Sequence, residues 1–118
     1  MRKTLILAIA LSLAAAGAAS AHARLIVASP KAGTTVAAPK ELKLTYSEGI
    51  VPASSSVAVA DAKGTAVPTG PLALDLKNKR VVVVPVTGKL VAGAYKVSWT
   101  MKTEDGHTTN GDFGFTVK

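Results

Sequence analysis

Cysteine is absent from the 118 residues. A chain without thiols cannot be a disulfide scaffold, and it offers no thiolate to a soft metal ion. Aromatic residues are nearly as scarce, with one Trp, two Tyr and two Phe. Nucleic-acid binding needs a basic stripe interleaved with stacking aromatics. Here the lysines are scattered from Lys31 to Lys102, so no nucleic-acid partner is expected. No apolar run reaches the roughly 20 residues of a transmembrane helix. Paired carboxylates and a Gly-rich phosphate loop are also missing, and no catalytic constellation stands out.

What is present begins with an export signal. Arg2 and Lys3 precede an apolar core from Leu5 to about Ala16, and small residues lead to Ala19-Ser20-Ala21. That order of charged, apolar and small segments is a secretory signal peptide. It divides the chain into a signal at 1–21 and one mature domain at 22–118, expected in the periplasm of a Gram-negative cell without membrane insertion after cleavage. Ala21-His22-Ala23 and Ala16-Gly17-Ala18 satisfy the same small-x-small rule and stand as alternative cleavage sites. Losing Arg2 and Lys3 leaves 12 basic residues against 7 acidic ones, a net +5. This fits a mildly basic, solvated surface on a monomer.

The mature chain reads as all-β. Leu25 to Ala28 forms a short strand stopped by Ser29-Pro30, and Glu41 to Ser47 alternates Leu42, Leu44 and Tyr46 against Lys43 and Thr45. Val57 and Val59 mark a third strand, and Leu72, Leu74 and Leu76 alternate in a fourth. Arg80 to Val84 is β-branched enough for burial on both faces. Ala94 to Lys102 sets Tyr95, Val97, Trp99 and Met101 on one face, and Phe113, Phe115 and Val117 close the pattern. About seven strands at this spacing, with no 3.6-residue apolar period, predict a Greek-key β-sandwich or barrel of immunoglobulin-like, cupredoxin-like type with Trp99 in its core.

The chain has two histidines, and their positions carry the chemistry. Cleavage after Ala21 makes His22 the first residue, so its α-amine and ring Nδ1 close a six-membered chelate on one metal ion. His107 follows Asp105 by two residues, a spacing that in an extended segment points both side chains to the same side. Asp105-Gly106 is equally a common hairpin turn, and Asn110-Gly111 is read as another. Three nitrogens and one carboxylate oxygen make a tetragonal set for one Cu(II), with zinc as the main competitor. An α-amine titrates near pH ~8, so affinity rises with pH. A sandwich can bring its first strand beside its last, which makes the set feasible. Glu48 is an exposed turn residue, a weak extra ligand or an outer acceptor for a ligand's N–H. Met1 leaves with the signal and Met101 lies on the apolar face, so no thioether cluster exists and no Cu(I) site is expected.

These residues resemble the CopC/PcoC-type periplasmic copper-resistance family over essentially the whole mature chain. The likeness rests on the histidine after the signal, Ser29-Pro30 with Gly33, and Ala38-Pro39-Lys40-Glu41-Leu42 running into Leu44-Thr45-Tyr46-Ser47-Glu48. It continues through Tyr95-Lys96-Val97-Ser98-Trp99, Asp105-Gly106-His107 and Gly111-Asp112-Phe113-Gly114-Phe115-Thr116-Val117. The resemblance implies a seven-stranded Greek-key barrel or sandwich, export, and a Cu(II) site on His22, Asp105 and His107 with Glu48 close by. It also implies an inner-membrane copper transporter as partner. Many members have a Met-rich loop for Cu(I), which this sequence lacks. The expected role is a copper carrier or buffer in homeostasis or resistance, not an enzyme. The alternatives are a small redox enzyme resembling the copper polysaccharide monooxygenases, built on the terminal histidine, and a metal-free structural or adhesive sandwich.

Overall fold

The computed structural model describes residues 23–118; the signal segment and His22 lie outside the described residues. Among the described residues nine strands form: β1 (Leu25–Ser29), β2 (Thr35–Val36), β3 (Glu41–Tyr46), β4 (Ser56–Asp61), β5 (Ala66–Val67), β6 (Ala73–Asp75), β7 (Asn78–Pro85), β8 (Gly93–Lys102) and β9 (Thr108–Val117). They make two sheets, ordered β1-β3-β7-β6 and β2-β9-β8-β4-β5. The only helical piece among the described residues is a 3₁₀ turn at Pro52–Ser54. The all-β sandwich expected from the alternation is therefore the fold found.

Alternation builds the core because successive strand residues face opposite sides. Leu42, Leu44 and Tyr46 of β3 are buried, and β7 pairs beside them with Leu42 opposite Val84 and Leu44 opposite Val82. From the other sheet come Tyr95, Val97, Trp99 and Met101 of β8 with Phe115 and Val117 of β9. Tyr95 stacks on Phe115 at 5.7 Å, and Tyr46 meets Trp99 across the sandwich edge-on at 5.1 Å. Such aromatic pairs contribute about 0.5–1.5 kcal/mol beyond their buried area. Burial raises the pKa of the Tyr46 hydroxyl, which stays neutral at all working pH.

Several local expectations need correction. The two extra strands, β2 and β5, are two residues each, too short to show a period, and they exist through pairing with β9 and β4. Leu76 does not continue β6. Asp75 Oδ1 accepts the Lys77 N–H at 2.8 Å, the chain reverses, and Leu76 stands fully exposed at the tip. Asn110-Gly111 is not a turn but runs within β9, opposite Thr100 and Trp99. Glycine is needed there because a Cβ would come 2.6 Å from Trp99 Cζ2.

Candidate metal centre

Thr103 follows directly on β8 and His107 directly precedes β9, so the residues between them are the hairpin turn joining the two longest strands. The backbone closes by Thr103 N–H donating to His107 O at 2.8 Å and Gly106 N–H donating to Thr103 O at 2.9 Å. Gly106 has φ +92°, a left-handed conformation that glycine takes without steric cost. The 105–107 segment is thus a tight turn rather than an extended stretch, and the i, i+2 strand argument does not apply. The turn itself makes the two side chains converge.

His107 Nδ1 lies 3.1 Å from Asp105 Oδ1, with both side chains about half exposed. Two donors about 2 Å from one ion and at right angles to each other would be about 2.8 Å apart. A carboxylate oxygen and an imidazole nitrogen this close could both ligate one ion. The Thr103 hydroxyl donates to Asp105 Oδ1 in a very short contact and also accepts the His107 N–H at 3.2 Å. The Thr103 hydroxyl first, and His107 second, hold the Asp105 carboxyl down at about 2 from its ordinary 3.8. It is fully ionised at neutral pH, as a metal ligand must be.

Other segments meet at this end of the sandwich. Glu104 N–H donates to Gly49 O at 3.1 Å, and Ile50 bridges Thr103. Ser47 N–H donates to Arg24 O at 2.9 Å, while Arg24 N–H donates to Ser47 Oγ at 2.8 Å. The start of the described chain is thereby tied to the loop that flanks the hairpin. This differs from the expected contact of first strand with last: β1 pairs with β3, and the 47–50 loop makes the link. The exposed Lys79–Glu104 ion pair at 3.7 Å adds little, since such pairs contribute about 0–1 kcal/mol.

Of the four residues singled out from the sequence, Asp105 and His107 are brought together. Glu48 is exposed in the 47–50 loop, and among the described residues no third His, Asp or Glu joins the pair to form a metal cluster. His22 lies outside the described residues. Thr103 and Ser47 were not anticipated. The Thr-x-Asp-Gly-His spacing is the one signal that points to Thr103, once the turn is known.

The sequence profile of the CopC domain matches residues 25–118. The chain belongs to the CopC family. The copper resistance protein C of Xanthomonas campestris pv. juglandis is 31% identical over 121 residues, covering 98% of this chain and 94% of that one. CopC from Methylosinus trichosporium OB3b is 34% identical, superposes with a TM-score of 0.76, and is covered to 94% by 82% of this chain. PcoC, the methionine-rich copper resistance protein of Escherichia coli, is 29% identical with a TM-score of 0.75, over 83% of this chain and 100% of that one. Against that methionine-rich relative, this CopC-family chain has two methionines, and Met101 is wholly buried.

Proposed function

We propose that this protein is a periplasmic Cu(II) carrier or buffer in copper homeostasis or resistance, not an enzyme. Signal cleavage after Ala21 releases a monomeric domain, 22–118, that holds one Cu(II). The donors are the α-amine and ring of His22, the Asp105 carboxylate and the His107 ring, with Glu48 near the site as an outer acceptor or weak ligand. An inner-membrane copper transporter receives or supplies the ion.

The observation that carries this reading is the 3.1 Å approach of an ionised Asp105 oxygen to His107 Nδ1 on an exposed turn. The tie between Arg24 and Ser47 supports the rest. Position 22 is two residues upstream of Arg24, and two residues of chain reach about 7 Å. Membership of a family that includes copper resistance proteins supports copper as the cargo. With two methionines, one of them buried, the chain offers a borderline nitrogen–oxygen set, which suits Cu(II) over Cu(I). Four equatorial positions filled by protein favour holding an ion over activating a substrate. Among the described residues no helix is long and apolar enough to cross a membrane.

Competitive titration of the mature chain with Cu(II) and a chelator tests the proposal. One tight equivalent is expected, lost in His107→Ala. Steady hydrogen peroxide production with ascorbate would contradict the carrier and favour a redox enzyme.

A further inference from the structure

Thr103 is buried, at 1% exposure, beside a turn whose other residues are exposed. A hydroxyl in such a place is costly unless its hydrogen bonds are made. Its Oγ1 lies within bonding reach of three partners: Asp105 Oδ1, the His107 carbonyl at 3.2 Å and the His107 N–H at 3.2 Å. A hydroxyl has one proton to give and two lone pairs to offer. The closest acceptor is the carboxylate, and a charge-assisted bond is the stronger one, so the proton goes to Asp105. The lone pairs then accept from His107 N–H.

From this geometry we infer that Thr103 is the positioning residue of the copper site, a role that rests on the Cu(II) reading above. One buried atom fixes both ligands at once: it holds the carboxylate of Asp105 and the backbone from which the His107 ring projects. Its own place is set independently of the turn by the bridge to Ile50 and by the end of β8. The direct backbone contact from His107 N–H to Asp105 Oδ1 is 3.4 Å, too long to do the same work. Without the hydroxyl, Asp105 loses the shortest hydrogen bond that holds its carboxylate beside His107 Nδ1.

The test uses the mature chain beginning at His22 and the variants Thr103→Val and Thr103→Ser. Valine keeps the shape and removes the hydroxyl; serine keeps the hydroxyl. Outer partners of metal ligands typically contribute 10–100-fold in affinity. Thr103→Val is expected to lower Cu(II) affinity by about 10–100-fold in chelator competition and to change the Cu(II) EPR signature, with near-UV circular dichroism of Trp99 unchanged. Thr103→Ser is expected to restore both. Should valine not fold, Thr103→Ala replaces it with the same expectation. A folded Thr103→Val or Thr103→Ala with wild-type affinity and EPR spectrum would overturn the inference alone. So would a Thr103→Ser that fails to rescue. A wild-type chain that holds no copper would overturn the carrier reading and, with it, this role.

Discussion

The turn from Asp61 to Thr65 and the turn from Thr103 to His107 share one backbone. In the first, Asp61 N–H donates to Thr65 O and Gly64 N–H to Asp61 O, both at 2.9 Å. In the second, Thr103 N–H donates to His107 O at 2.8 Å and Gly106 N–H to Thr103 O at 2.9 Å. The fourth residue of each is a left-handed glycine, at φ +86° and +92°. The side chains then part company. Asp61 turns its Oδ1 inward, accepting N–H bonds from Lys63 and Thr65 at 2.9 Å each. In the other turn a hydroxyl at the first position accepts the fifth residue's N–H instead. That leaves a carboxylate at the third position, where the first turn has Lys63, to meet the ring of His107. The same local fold closes a hairpin in one place and builds a donor pair in the other.

The comparison breaks most sharply at the third position. Asp105→Ala is expected to reduce Cu(II) affinity by more than about 100-fold, since outer partners alone contribute about 10–100-fold. Lys63→Ala should leave it unchanged, as measured by competition with a chelator.

The glycines sharpen the point. Gly64→Ala and Gly106→Ala each force a left-handed alanine and should each destabilise by about 1–2 kcal/mol in urea unfolding. Only Gly106→Ala should also weaken copper binding. Smaller still, Asp61→Ala removes an acceptor of two N–H bonds and should lower stability by about 1 kcal/mol with copper binding intact.

The last expectation concerns pH. Asp105 in the metal-free chain is held at about 2, below its ordinary 3.8. Its contribution to stability is complete above the ordinary value and is lost as pH falls from about 4 through about 2. An NMR titration of the Asp105 carboxyl carbon should move near pH 2; movement near pH 4 would contradict the Thr103 bond.

Much of the fold was legible because long strands repeat one pattern. From Tyr95 to Met101 four apolar residues alternate with three polar ones, and burial follows the alternation without exception. Local signals misled where a distant contact decided the outcome. Asn110-Gly111 has turn composition, yet its glycine answers to the Trp99 ring on the next strand. Leu76 completes an alternation, yet Asp75 reverses the chain before it can pair. Thr35–Val36 and Ala66–Val67 are strands by virtue of their partners. At the site, Asp105 and His107 stood out because metal-binding side chains are rare in this sequence. Thr103 did not, since a single threonine at a strand end has no signature until the turn brings its hydroxyl under the carboxylate.

A carrier of the proposed kind holds one Cu(II) on a terminal His22 together with the Asp105–His107 turn. The most direct measurement is the native mass of the protein recovered from a bacterial periplasm, with one equivalent of Cu(II) and a competing chelator. The expected result is a chain beginning at His22 that keeps one copper. A chain beginning elsewhere, or one beginning at His22 that gives its copper to the chelator, would contradict it.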